Sequence, residues 1–225
     1  MPPVVRASVP DLVFAQLRDA IVSGRYAPGE RLPTQRVLAA ELDVNLASVR
    51  QAVARLEQLR LVEVRHGDAM RVLDWRVSGG LEALAALGGS DVEIIGPLFE
   101  ARRLLLVEAA RLAAERRTSE QSERLGELAS AFARAPDDQG ALRCDWEFMA
   151  SVIEAADNIV FQLIMNSVRR LYLPNATAFA RIVADRAELA PLYVATATAI
   201  RKRERAAAAR SIGALARAQE QRMAR

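Results

Sequence analysis

Two stretches of helical hydrophobic spacing that meet at a three-residue break constrain this chain more than any other feature. In the first, Thr34 is placed to cap a helix running to about Leu42, with Leu38 and Leu42 on one face. In the second, about Leu46 to Leu59, Val49, Val53 and Leu56 form an apolar stripe with Ala52 beside them, while Ser48, Arg50, Gln51 and Arg55 fall largely on other faces. Asp43-Val44-Asn45 separates the two, and so short a gap is what a helix-turn-helix requires. An apolar back with an Arg/Gln/Ser front suits the major groove of DNA, where Arg bonds guanine O6 and N7 bidentately and Ser or Gln pairs with other base edges. Any amphipathic helix also has a solvated polar face, so the flanking segments decide between the two readings.

Those flanks favour DNA. Leu61–Val64 and Ala69–Leu73 are short alternating runs around Arg65-His66-Gly67-Asp68, the pattern of two strands joined by a tight turn. A hairpin directly after a groove-reading helix is a wing. At its tip Arg65 and His66 reach phosphates or the minor groove, and Gly67 supplies the positive φ that the turn needs. Upstream, Asp11 after Pro10 is read as the cap of a first helix with Leu12, Phe14, Leu17 and Ile21 on its apolar side, stopped at Ser23-Gly24. Residues 26–33 hold two prolines and a glycine and read as a turn into the second helix.

A second module follows in a chain of 225 residues, long for one domain and comfortable for two. Boundaries are expected at 1–74 for the winged helix-turn-helix, 75–90 for a linker with a short helix from Ser78 to Leu87, and 91–225 for an all-helical domain. Ser90 is placed to cap a long helix through Arg116, with Pro97 in about its second turn. Later helices are expected at about Ser119–Arg134, Leu142–Ala155, Asn158–Leu173, Thr177–Val183, Arg186–Arg201 and from Glu204 onward. No strand pattern intervenes, and hydrophobic residues are 52% of the chain against 5% aromatic, which suits helices packed through Ala and Leu. The fold class is mostly α: an N-terminal winged helix-turn-helix plus a C-terminal antiparallel all-α bundle.

Other classes fare poorly. Cys144 is the single cysteine and His66 the single histidine, so no zinc site and no internal disulfide is expected, and a cytoplasmic location follows. No segment stays uncharged long enough to cross a bilayer. An enzyme would need a nucleophile with its base or a paired acid and base, and the bundle carries only scattered carboxylates without histidine. A non-DNA protein-interaction module built on the winged fold remains as a rival. The net charge of +3, carried almost wholly by arginine, permits nucleic acid without demanding it. The arginines from Arg201 to Arg225 are interleaved with Ala and Glu and read as a solvated helix face.

The first module resembles GntR-type regulators through Ile21-Val-Ser-Gly-Arg-Tyr-Ala-Pro-Gly-Glu-Arg-Leu-Pro33, Gln35-Arg36, Val49-Arg50, Leu56 and His66-Gly67. The resemblance implies operator contacts from Arg36 and Arg50, with His66 and Gly67 in the minor groove. Where the family usually carries another Arg or a hydroxyl-rich run, this chain has Asn45-Leu46-Ala47-Ser48, so the bases read do not carry over. The second module resembles the FadR-type branch with its all-helical effector domain through Trp75–Leu81, Glu100–Arg116 and Asn158–Tyr172.

In many members of that branch an Asp and three His hold a metal and a small carboxylate. Here Asp145 matches the Asp, but Met149 stands at the first His position, and Tyr193 and Leu215 align with the other two. One carboxylate does not hold a transition metal. The pattern is instead that of the fatty-acid-responsive members, so the expected effector is an acyl-CoA or another lipid-like anion, with no metal and no cofactor; a small carboxylate metabolite is the alternative. Arg102 is placed to pair with an anionic ligand group or with Asp145, and Asn166 and Tyr172 to offer oriented hydrogen bonds, with Tyr193 beside them. Against this stands the reading that Arg102 bridges helices, Met149 is ordinary core and Tyr172 fills a packing gap. The implied whole is a homodimeric regulator, by default a repressor relieved by ligand, on a near-palindromic double-stranded operator.

Overall fold

Short-range capping signals set most helix boundaries in the computed structural model of the chain, which describes residues 8–65, 69–87, 94–172 and 179–223. The chain divides into two units, residues 1–93 and 94–225. In the first, α1 (Val9–Val22) starts at Ser8 and not at Asp11. The Ser8 hydroxyl accepts from the Asp11 N–H, and the Asp11 carboxylate accepts from the Ser8 N–H at 3.2 Å. Asp11 is thus the reciprocal partner in a capping box, three residues into the motif.

Thr34 caps α2 (Gln35–Glu41), its hydroxyl accepting from the Val37 N–H at 3.3 Å. Asn45 then caps α3 (Leu46–Gln58), its Oδ1 accepting from the Ser48 N–H at 2.8 Å. The residue that ends the break between the helices therefore starts the next one. Asp43 makes the reversal with φ at 51°, a conformation that Asp tolerates better than most residues.

A three-stranded antiparallel sheet, in the order β1-β3-β2, follows the helices. β2 (Val62–Arg65) and β3 (Ala69–Val72) are the expected hairpin, paired Val62 to Val72 and Arg65 to Ala69. The sequence reading missed β1 (Arg31–Leu32), which pairs Arg31 with Arg71 and Leu32 with Met70. Gly29, at φ 85°, turns the chain so that its N–H donates to the Val72 carbonyl at 2.8 Å. The core of this unit joins Phe14, Leu17 and Ile21 of α1 to Val49, Ala52, Val53 and Leu56 of α3 and to Leu61, Met70 and Val72.

The expected single helix Ser78–Leu87 is two short ones, α4 (Trp75–Ser78) and α5 (Ala83–Leu87), because Gly79 and Gly80 interrupt it. Trp75 and Ala86 pack against the winged core. Gly88, Gly89 and Ser90 lie outside the described residues.

The second unit opens with α6 (Ile95–Arg116), in which Pro97 is the third residue. Its missing N–H falls in the first turn, where no intrahelical acceptor exists, so the proline breaks no hydrogen bond there. α7 (Ser119–Ala133) begins with a capping box of Thr118 and Gln121. α8 (Asp138–Ala155) starts four residues earlier than its apolar pattern suggests, because Asp137 Oδ1 accepts from the Gly140 N–H at 2.7 Å. Next come α9 (Ile159–Tyr172), a 3-10 helix (Ala180–Val183) in place of the expected α-helix to Val183, α10 (Arg186–Arg201) and α11 (Arg205–Met223). Thr177 lies outside the described residues.

α6 packs against α8, α10 and α11, while α7 packs against α8 and α10. Short turns at Asp157 and Arg203, both at positive φ, keep successive helices adjacent. Among the described residues no helix is long and apolar enough to cross a membrane.

Candidate DNA-binding face and candidate effector site

α3 separates its two faces cleanly. Val49, Ala52, Val53 and Leu56 are buried, and Ala47, Arg50, Gln51 and Ala54 are exposed at the same three- and four-residue spacing on the opposite side. Arg50 and Gln51 therefore stand together, flanked one turn away on each side by small alanines that let a partner approach the backbone.

Ser48 does not join them. It is only 6% exposed, because it lies four residues before Ala52 and so shares the packed side of the helix. That corrects its place in the sequence reading. Arg36 is exposed in the first turn of α2. Arg55, further along α3, is engaged within the fold: it donates to Asp11 at 2.6 Å and its guanidinium lies 4.0 Å from the Phe14 ring centroid. The Ser8 hydroxyl first, and Arg55 second, hold the Asp11 carboxyl below its ordinary range. Arg65 ends β2 exposed and pairs with Glu63 at 2.9 Å. His66 and Gly67 lie outside the described residues.

In the second unit a single carboxylate gathers side chains from four other helices. Asp145 of α8 is 1% exposed. Its Oδ1 accepts from the Tyr193 hydroxyl of α10 at 2.6 Å and from Gln219 Nε2 of α11 at 2.7 Å. Oδ2 accepts from the Tyr172 hydroxyl of α9 at 3.4 Å, and Arg102 of α6 brings Nη2 to 3.7 Å from Oδ1. Gln219 also donates to the Tyr193 oxygen at 3.0 Å.

Apolar and aromatic groups enclose this network. Tyr193 stacks on Phe132 at 4.0 Å and meets Phe148 edge-on at 5.0 Å, while Tyr172 stacks on Trp146 and Phe179, each at 5.1 Å. Burial first, and the Asp145 charge second, push both tyrosine hydroxyls well above their ordinary range, so they stay protonated donors. Within this network two polar atoms, Arg102 Nη1 and Gln219 Oε1, are buried without a partner among the described residues.

Of the sequence-expected ligand residues, Arg102, Asp145, Tyr172 and Tyr193 thus meet. Met149, 1% exposed, sits in the surrounding core. Asn166 does not belong to the group: it lies exposed on α9. The residue that sequence reasoning missed is Gln219, one turn beyond Leu215, which is ordinary core. A signal for it existed. Ile212, Leu215, Ala216 and Gln219 continue one stripe at three- and four-residue spacing, so Gln219 is an amide at a core position and requires a partner there.

A metal does not fit this donor set. Both carboxylate oxygens already accept from hydroxyl and amide groups, and no cluster of three His, Cys, Asp or Glu side chains exists among the described residues.

A family model described as bacterial regulatory proteins, gntR family, matches residues 11–72, and one described as FCD domain matches residues 97–218. The chain is 37% identical over 180 residues to the HTH-type transcriptional regulator Mce2R of Mycobacterium tuberculosis, a match covering 78% of this chain and 75% of that protein. It is 29% identical over 154 residues to the HTH-type transcriptional regulator LutR of Bacillus subtilis, covering 68% of this chain and 70% of the other. Among solved structures, that of Lar from Listeria monocytogenes matches with a TM-score of 0.60 at 15% identity, over 96% of this chain and 97% of that one. Likeness at that identity carries the fold alone.

Proposed function

This chain belongs to the gntR family of bacterial regulatory proteins, with an FCD domain behind its winged helix-turn-helix, and from that premise we propose how it works. It is a DNA-binding transcriptional regulator and not an enzyme. The finer reading is a homodimeric repressor on a near-palindromic operator, released by a fatty acyl-CoA or another lipid-like anion. The observation that carries the DNA part is the exposed pair Arg50 and Gln51 on a helix whose back is wholly packed. Arg50 is suited to a guanine and Gln51 to an adenine. Arg36 and Arg65, both exposed, supply backbone contacts, and His66 and Gly67 complete the wing's approach to the minor groove.

A two-fold dimer presents two such helices about 34 Å apart, which is why the operator is read as two half-sites. An effector shifts DNA affinity only to the extent that it binds one dimer geometry better than the other. The Asp145 network supports a metal-free effector: its donors are hydroxyls and an amide, its walls are Phe132, Phe148, Trp146 and Met149, and Arg102 supplies one cation. A small carboxylate on a metal is the competing effector, and the donor set argues against it.

The test is fluorescence anisotropy on the DNA upstream of the chain's own gene, at low ionic strength, with palmitoyl-CoA and short carboxylates titrated in with and without zinc. Release by palmitoyl-CoA alone supports the reading. Zinc-dependent response to a short carboxylate refutes the effector, and indifference to every promoter fragment refutes the whole.

A further inference from the structure

The sheet of the first unit packs through one face only, and its register fixes which residues share the other. Arg31 of β1 stands directly opposite Arg71 of β3, and Arg71 in turn stands opposite Glu63 of β2. Residues paired across strands point to the same side of a sheet, as do residues two apart along one strand. Arg31, Arg71, Glu63 and Arg65 therefore share one face. The alternate positions, Leu32, Val62, Met70 and Val72, are buried in the winged core.

That outer face carries three arginines against one glutamate, and the carboxylates beside it are already engaged. Glu63 accepts from Arg65 at 2.9 Å, and Glu30, next to Arg31 in the chain, accepts from the Ala27 N–H at 2.8 Å. Arg71 donates from Nη1 to the Gly29 carbonyl at 2.7 Å, which draws it toward the turn leading into β1. The Arg31 side chain is exposed and has no ion-pair or hydrogen-bond partner among the described residues. Arginines opposed across neighbouring strands, whose backbones run about 4.8 Å apart, repel one another. An anion held against both removes that repulsion.

The place of the pair says which anion. β1 runs antiparallel to β3, so beyond Leu32 the chain heads for the end of the sheet where Arg65 and Ala69 close the pairing. Two residues further it reaches Thr34 and the first turn of α2, with exposed Arg36. Arg31 and Arg71 thus lie on the stretch of surface that joins the wing to the start of the helix-turn-helix. We propose that Arg31, with Arg71 beside it, grips the sugar-phosphate backbone of the duplex next to the bases read by Arg50 and Gln51. This contact rests on the DNA-binding reading and widens its footprint. Arginine forks match phosphate oxygens, and such contacts fix the register of a protein on DNA without reading sequence. The two residues of β1 then divide the work, Leu32 in the core and Arg31 on the phosphates.

Fluorescence anisotropy of the full chain on the DNA upstream of its own gene, at 50 and 200 mM salt, tests the contact. Arg31→Gln should lower the slope of log affinity against log salt by about 0.9, so its defect should be about three- to fourfold larger at 50 mM than at 200 mM. The defect should be equal on operator and random DNA. Arg31→Lys should keep most of the slope, and Arg31→Gln should melt at the temperature of the unaltered chain. An unchanged slope for Arg31→Gln, in a chain that still loses operator affinity on Arg50→Ala, would overturn this contact and leave the DNA-binding reading standing. A defect confined to the operator would overturn it by making Arg31 a base reader. Equal defects and lowered melting in both Arg31 variants would overturn it by assigning Arg31 to the fold. Failure of the unaltered chain to bind any promoter fragment would overturn the contact and the DNA-binding reading together.

Discussion

Replacing Tyr193 by Phe removes one oxygen from the buried Asp145 network of the second unit and leaves the ring's shape intact. The hydroxyl donates to Asp145 at 2.6 Å and accepts from Gln219 at 3.0 Å. A hydrogen bond to a charged group contributes about 1.5–3 kcal/mol, and the carboxylate has no water to turn to at 1% exposure. The expected loss is therefore about 2–3 kcal/mol. Tyr172 donates to the same carboxylate at 3.4 Å, near the limit of a hydrogen bond, so Tyr172→Phe should cost only about 0.5–1 kcal/mol. Gln219→Met falls between them, since it removes a donor at 2.7 Å and also the unpartnered Oε1.

The assay is urea unfolding followed by Trp146 fluorescence in a Trp75→Phe background. These are the two tryptophans of the chain, and Trp146 lies 5.1 Å from the Tyr172 ring. Fitting that probe alone avoids treating two units as one transition. If Tyr193→Phe stays within about 0.5 kcal/mol of the unaltered chain, or if Tyr172→Phe is the more damaging, the network is not organised around Tyr193 and the reasoning fails.

The same tyrosines set an alkaline limit. Their values are raised on folding, so the stability they contribute is complete below the ordinary phenol value of about 10 and declines as pH rises beyond it. Melting scans above that pH should show a steeper loss for the unaltered chain than for the double Tyr→Phe variant; parallel losses would contradict the assignment. On DNA, Arg50→Ala should weaken operator binding by about 1–3 kcal/mol and relax base preference, while Ser48→Ala should leave base preference unchanged because the side chain faces the core. Competition with random DNA checks both. Arg65→Ala should lower the salt slope of binding by about one without altering specificity, and a slope unchanged from 50 to 200 mM salt would exclude a phosphate contact.

What the sequence by itself determined is what depends on residues close along the chain. Thr34 and Asn45 start α2 and α3 through bonds that span three residues, and the apolar back of α3 repeats at helical spacing, so both the helix-turn-helix and its Arg50 and Gln51 front were legible. The hairpin pairing of β2 with β3 was legible for the same reason. At Ser8, too, the information is local, and the error lay in which of two capping partners begins the helix.

Tertiary structure decided the rest, because it depends on partners distant in sequence. β1 is two residues long, too short to show a period, and exists only because β3, some forty residues later, offers its free edge. Asp145, Tyr193 and Gln219 come from three helices, and the stripe on α11 marks Gln219 as buried without saying which carboxylate receives it. A helix's periodicity fixes which side of it is buried; only the packing of helix against helix fixes what that side touches, and a buried polar group takes its chemical character from that partner.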